Sequence, residues 1–260
     1  GGLVRYKHND MDDLEKTISK LPSDSGKLIV SDGVFSTGGE IVNLPRLIEI
    51  AKKYGARVMI DDAHSVGVIG KGGRGTASEF NLEKEVDLTM GTFSKTFASL
   101  GGFVAGSERV INFIKHFSPA LIFSASPTPA SVASALAALD ILEAEPERVD
   151  MLIANANYMR KNLKEKGFNI IEGRTAIVPV MLFNAKLSQD FSKDLYNEGI
   201  YAIGFFFPVV PNGQARIRTQ ISAGHEIQHL EKALDAFIKV GKKYGILGLT
   251  KEEIVAKYGL

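Results

Sequence analysis

The chain has 260 residues, 31 Lys and Arg against 30 Asp and Glu, a formal net charge of +1 and no cysteine. Balanced charge gives no electrostatic footprint for nucleic acid or an anionic membrane surface, and the lack of cysteine excludes disulfides and thiolate metal sites. Apolar residues make up 45%, enough at this length for the core of a soluble globular enzyme. No apolar run reaches membrane-span length and no basic-then-apolar leader opens the chain, so a cytoplasmic setting is expected.

The opening Gly1-Gly2-Leu3-Val4-Arg5-Tyr6 reads as a strand entered midway. Lys27 to Asp32 is a short apolar run with a polar end, the pattern of a buried strand. Leu44, Leu47, Ile48 and Ala51 recur at helical spacing, with Pro45 in the first turn, and predict a helix to Tyr54. Arg57 to Asp61, Asp87 to Gly91 and Gly102 to Gly106 predict three more strands. Strands alternating with helices argue for a doubly wound α/β sheet, mostly parallel, with helices on both faces. Ligands of such sheets sit beyond the carboxyl ends of the strands, and Ser36, Asp61, His64, Thr92 and Lys95 all lie at or just past such ends.

After Pro127-Thr128-Pro129 the pattern changes. Helices are expected over 130–144 and 147–166, a strand over 177–183, a helix over 188–197, strands over 200–203 and 216–221, and a helix over 227–244. The implied organisation is a large α/β domain over 1–140, a smaller α+β domain over 141–250, and a tail over 251–260 forming a short, loosely attached helix. There are no repeats or low-complexity segments.

The segment Gly91-Thr92-Phe93-Ser94-Lys95-Thr96 places a lysine among short hydroxyl side chains just after an apolar strand. A lone loop lysine is ordinarily a solvated charge. Hydroxyls and exposed N–H groups beside it suit a phosphate, Gly101-Gly102 permits close backbone approach, and burial would lower the amine's pKa as a Schiff-base nucleophile requires. Asp61 ends its strand either as a cap for the next turn or as the carboxylate that keeps a pyridine nitrogen protonated. His64, three residues on, is either a satisfied core histidine or a donor to a phenolic oxygen. Together the two segments point to pyridoxal 5'-phosphate (PLP).

Gly67 to Gly75 is glycine-rich, but it follows a His-bearing loop rather than linking a strand to a helix, so it reads as a structural turn and not a dinucleotide loop. Arg216 and Arg218 share one face of an alternating strand, either in salt bridges or as a guanidinium fork for a carboxylate. His225 and His229, four apart, have no evident third ligand and read as capping and surface residues, so no metal site is expected. Phe205-Phe206-Phe207-Pro208 reads as core or as the lining of a substrate pocket.

These residues together resemble the α-oxoamine synthases, PLP-dependent acyl-CoA transferases of the aspartate-aminotransferase fold type. The anchors are Asp32-Gly33-Val34-Phe35-Ser36, Asp61-Asp62-Ala63-His64-Ser65, Gly72-Gly73-Arg74-Gly75, Gly91-Thr92-Phe93-Ser94-Lys95, and Ala215-Arg216-Ile217-Arg218 through His225. The resemblance implies Lys95 as the cofactor-holding lysine, Asp61 as the pyridinium partner and His64 as the contact of the phenolic oxygen. Thr92 and Ser94 would meet the phosphate, and Ser36 would stand near cofactor and substrate carboxylate. Arg218, ahead of Arg216, would bind the substrate carboxylate. Ser124 and Ser126 match a segment that reaches the partner subunit's phosphate, implying a homodimer with a shared active site. The family also carries a stretch ahead of this chain's start, with a glycine loop and a ring-stacking histidine that His8 cannot replace, so a missing N-terminal portion is expected.

The activity implied is condensation of an amino acid with an acyl-CoA. Gly204 to Pro211 and Val240 to Gly248 look most like glycine C-acetyltransferase, favouring glycine and acetyl-CoA. The lysine loop looks closer to serine palmitoyltransferase, and 8-amino-7-oxononanoate synthase is the other enzymatic alternative. A non-catalytic partner subunit or an inactive fragment is the alternative of another class, opposed by the presence of Lys95, Asp61 and His64.

Overall fold

The computed structural model describes residues 2–260. It divides into two compact units, one of residues 2–34 and 41–146, the other of Phe35–Glu40 and Glu147–Leu260. A division after residue 140 would cut a helix that runs to Ala144.

The first unit contains α1 (Met11–Ile18), β1 (Leu28–Asp32), α2 (Leu44–Lys53), β2 (Arg57–Asp61), α3 (Thr76–Glu79), β3 (Leu88–Thr92), β4 (Gly102–Gly106), α4 (Glu108–Phe117), α5 (Pro119–Ile122) and α6 (Pro129–Ala144). Its sheet has the order β1-β2-β3-β4. The first three strands are parallel and β4 returns antiparallel to β3. The register places Asp32 opposite Asp61 and Asp61 opposite Met90, so carboxylates crowd one end of the sheet.

Three local readings change. The continuous apolar run of β1 suggests burial on both faces, but the strand lies at a sheet edge and Leu28 and Val30 are 52% and 51% exposed. The sequence pattern also left α1 unread. Asp10 caps it, accepting from Asp13 N at 2.9 Å, and Met11, Leu14 and Ile18 supply its buried face. Only two turns are involved, too few for the period to stand out. Neither α4 nor α5 was foreseen, and both lack a buried residue.

The second unit contains α7 (Glu147–Glu165), β5 (Ile177–Phe183), α8 (Ala185–Asn197), β6 (Ile203–Phe205), β7 (Ala215–Gln220), α9 (Ile227–Tyr244) and α10 (Lys251–Tyr258). Its antiparallel sheet has the order β5-β7-β6. The core gathers Met159, Leu163, Val180, Leu182, Ile217 and three rings: Phe168 meets Phe191 and Phe237 edge-on at 6.4 and 6.0 Å, the offset geometry that aromatic quadrupoles favour. The helix α8 begins at Ala185 rather than Ser188, because the Asn184 side chain accepts from Leu187 N at 2.7 Å and caps it earlier. The short β6 lies at 203–205, where Ile203 and Phe205 pair with Arg218 and Arg216.

The tail is helical but firmly attached. Thr250 and Glu253 form a reciprocal capping box, Ile254 is 1% exposed within the core, and Asn184 Nδ2 donates to Tyr258 O at 3.0 Å.

Candidate active site

The carboxyl ends of β1, β2 and β3 bring Asp32, Asp61 and Thr92 to one edge of the first unit. An Asp61 carboxylate oxygen accepts from Ala63 N at 2.9 Å, so the side chain caps the turn that follows its strand. Asp32 was an anchor of the sequence motif without a role. Here burial pushes its carboxyl above the ordinary aspartate range, and repulsion from Asp61 adds to this, while His8 and Lys95 act in the opposite direction. Lys95 therefore belongs electrostatically to the same cluster as the two strand-end aspartates. His64, half-buried, follows in the turn after β2.

The lysine loop is held by its own hydroxyls. Thr92 Oγ1 donates to Gly101 O at 3.2 Å, accepts from Ser94 N at 3.2 Å and lies 2.8 Å from Ser94 Oγ. Thr96 Oγ1 donates to Val66 O at 2.7 Å, tying the loop to the segment after β2. Phe93 packs against Phe97 and Phe103, with ring centroids 5.6 and 5.7 Å apart. Between these anchors Lys95 is exposed, as are Ser94 and Thr96. The expected burial of the lysine is not found among the described residues. The Lys95 side chain has neither hydrogen bond nor ion pair among the described residues, so its amine stands free at the strand ends.

Beneath this edge lies a carboxylate that the sequence reading passed over. Asp62 is 2% exposed. Its Oδ2 accepts from Thr76 N at 3.1 Å, while Oδ1 is buried without a hydrogen-bond partner. Burial pushes its carboxyl up, the Thr76 and Ser65 groups beside it oppose that, and Asp61 adds repulsion. A Cβ on Gly33 would collide with Thr76 Oγ1 and Asp62 Oδ1. The glycine in the Asp32-Gly33 pair is thus required by close packing. Its adjacency to Asp61 in the Asp-Asp pair was the one available sequence signal. The glycine-rich segment is a turn, with a 3₁₀ turn over Lys71–Gly73 and a Val66–Arg74 bridge.

In the second unit the two arginines part company. Arg216 is 4% exposed and donates to Gln214 O at 2.9 Å and to Thr37 O at 3.4 Å, the carbonyl next to half-buried Ser36. Burial lowers its pKa, with Glu40 acting against that. Arg218 donates to Gln220 Oε1 at 2.6 Å and lies over the Phe205 ring, 5.6 Å from its centroid, with Nε buried and unpartnered. Neither arginine forms a salt bridge among the described residues, so the salt-bridge alternative fails for both. Phe205 serves the arginine, whereas Phe207 is largely exposed. His229 completes the capping box of α9, and His225 Nδ1 accepts from Ser222 N at 3.2 Å in the turn before it. Ser124 and Ser126 lie exposed between α5 and α6, without hydrogen bonds among the described residues.

A free primary amine, two hydroxyls on a tight loop, a strand-end carboxylate and an imidazole form the donor set that an aldehyde-bearing pyridine phosphate needs, and the first unit supplies all of them. On a largely parallel sheet, this is the arrangement of a fold-type-I transferase. A model of the aminotransferase class I and II family matches residues 1–237, and the chain belongs to that family. It is 46% identical over 247 residues to the serine palmitoyltransferase of Sphingobacterium spiritivorum, covering 95% of this chain and 62% of the relative. It is 48% identical over 246 residues to the 8-amino-7-oxononanoate synthase of Fervidobacterium nodosum, covering 93% and 62%. The solved structure of SPT with its PLP internal aldimine superposes with a TM-score of 0.91 at 33% identity, covering 94% of this chain and 62% of that one. The chain thus spans 62% of the length of these curated relatives. No helix among the described residues is long and apolar enough to cross a membrane.

Proposed function

We propose that this chain carries the lysine-bearing part of a PLP-dependent acyltransferase of the α-oxoamine synthase type, condensing an amino acid with an acyl-CoA. The observation that carries the reading is the free Lys95 amine on a hydroxyl-pinned loop, grouped with Asp61 and Asp32 at the sheet's carboxyl edge. When bound, PLP supplies an aldehyde for the amino group and a ring that takes up electrons from Cα. Lys95 holds the cofactor and then moves the Cα proton. Asp61 keeps the ring nitrogen protonated, and His64 donates to the phenolic oxygen. Thr92 and Ser94 bind the phosphate, and Ser124 and Ser126 bind that of a partner subunit in a homodimer. Arg218 takes the substrate carboxylate, with Ser36 beside it, because Arg216 is engaged by Gln214 and Thr37. The new Cα–carbon bond forms as the thioester C–S bond breaks and CoA leaves.

Two readings of the substrates have separate support. The loop Gly204 to Pro211 favours glycine with acetyl-CoA, giving 2-amino-3-oxobutanoate. The names of the relatives favour a longer acyl group. Thiol release from acetyl- or palmitoyl-CoA with glycine, L-alanine or L-serine separates them. The proposal itself is tested by incubating the protein with PLP, reducing with borohydride and mapping the modified peptide. Modification at Lys95, absent in Lys95→Ala, is the expected result. Modification elsewhere, or none, refutes it.

A further inference from the structure

Residues 35–40 are a closed loop that belongs to the second unit, although the chain on either side of them belongs to the first. Two backbone hydrogen bonds shut its neck: Phe35 N donates to Glu40 O at 2.9 Å, and Gly39 N donates to Phe35 O at 2.8 Å. Ser36, Thr37 and Gly38 form its tip. We propose that Arg216 and Thr175 are positioning residues for this loop: together they clamp it onto the second unit and so fix Ser36, and Arg216 itself takes no ligand. The part of this inference that concerns the substrate rests on the acyltransferase reading above.

The tip has no hold of its own. Ser36 makes no hydrogen bond through backbone or side chain among the described residues, so its place depends on its neighbours. Two of these are tethered. Arg216 Nη1 donates to Thr37 O at 3.4 Å, one residue from Ser36. Thr175 Oγ1 donates to Gly39 O at 2.9 Å in a buried contact. Thr175 is held in turn, because Arg160 on α7 donates through Nη2 to Thr175 O at 2.8 Å and to Ile177 O at 3.3 Å. Gly39 has a φ of 76°, and a Cβ there would collide with Ile177 and Thr175. Only glycine brings the loop this close to the start of β5. Side chains from α7, from the approach to β5 and from β7 therefore contribute to one clamp.

The hydrogen bonds of Arg216 separate positioning from binding. Each of its three nitrogens already has an oxygen: Nε donates to Gln214 O at 2.9 Å, Nη2 to Gln214 Oε1 at 3.1 Å, and Nη1 to Thr37 O. The side chain is 4% exposed. The Glu40 carboxylate, which lies against Gly38 in the same loop, adds an electrostatic attraction. A carboxylate ligand would have to displace these partners and untie the loop. Arg218, two residues along, uses one donor, on Gln220. A guanidinium has five N–H donors in a planar fork, so the first arginine is committed to the protein and the second keeps donors for a ligand. An ammonium cannot hold the same three acceptors in the same plane.

Amide hydrogen exchange of the full chain reads the clamp directly. Arg216→Lys and Thr175→Val are each expected to speed exchange of the Gly39 N–H about tenfold or more and to leave the amides of α9 unchanged. Thr175→Val is nearly isosteric, so it decides the matter if Arg216→Lys does not fold. A wild-type exchange rate at Gly39 in a folded variant, or a rise shared with α9, overturns the clamp. Kinetics reads the consequence. The apparent constant for the amino acid is expected to rise roughly tenfold in Arg216→Lys and in Ser36→Ala, with little change in kcat and with PLP attachment at Lys95 unchanged. If Arg216 acts through Ser36, the double variant is no worse than the worse single one. Effects that multiply show that Arg216 meets the substrate itself and overturn the proposal. A wild-type chain that releases no thiol with any substrate removes the acyltransferase reading alone, because exchange at Gly39 decides the clamp without activity.

Discussion

Both units bury an apolar core, but they differ in how far their helices cover their apolar faces. In the second, three phenylalanines and the aliphatic residues of β5, α8 and α9 close on one another, and Phe191 and Phe237 are almost wholly buried. In the first, α4 has an amphipathic pattern as clear as that of α9, yet buries nothing. Phe113 and Phe117 stack at 4.6 Å while remaining 62% and 67% exposed. Across α4, α5 and α6 only Ala135 is buried. Periodicity marks which face of a helix is apolar; it does not say whether that face finds a partner within the chain.

Deleting one ring in each unit puts the contrast to its hardest test. Phe237→Ala is expected to lower stability by about 3–5 kcal/mol, the cost of a large buried side chain and the cavity it leaves. Phe117→Ala is expected to change it by no more than about 0.5 kcal/mol, as for ordinary surface positions. Denaturant unfolding of the two variants measures both, and similar losses would show that α4 is covered in solution.

The first unit also packs tightly around polar atoms at one place, beside Asp62. Gly33→Ala is therefore expected to cost about 1–3 kcal/mol, the range for overpacking, because the new methyl group meets Thr76 and Asp62. Thermal unfolding checks it, and an unchanged midpoint would show that the Asp62 surroundings yield. A smaller effect concerns the tail. Thr250→Ala removes the cap of α10 and is expected to cost about 1 kcal/mol. A tail that frays without any such loss would contradict the docking of Ile254.

The smallest effect divides the units by sign. Burial and the neighbouring His229 hold His225 below its usual pKa. Its contribution to stability is complete above the unfolded value of 6.5 and is lost as pH falls through the lowered folded value. The carboxyls of Asp32 and Asp62 are raised, so their burial becomes less unfavourable as pH falls through their folded values toward 3.8. His225→Asn should flatten the decline below pH 6.5, and Asp62→Asn should remove part of the acid-side gain. Thermal midpoints measured from pH 7.5 to pH 4 read both, and a single common slope in the two variants would contradict the division.

Much of the candidate site was legible because its chemistry follows apolar runs in the sequence. Asp61 stands at the end of one apolar strand and Lys95 just beyond another, and parallel sheets place such ends together. Arg216 and Arg218, sharing a face, could not be separated by alternation. Thr37 and Gln214 engage one, and the Phe205 ring lies under the other. Residues 35–40, which supply Thr37, join the second unit although the chain around them belongs to the first.

By itself the sequence determined the strand and helix periods, the lysine loop, the paired aspartates and the family. Tertiary structure alone decided that Asp62 is buried beside Gly33, that Lys95 stands exposed, that Ile254 anchors the tail, and that Arg216 and Thr175 meet residues 35–40. The reason is physical: secondary-structure periods arise from backbone geometry over a few residues, whereas burial, pKa and charge convergence depend on groups brought together from distant parts of the chain.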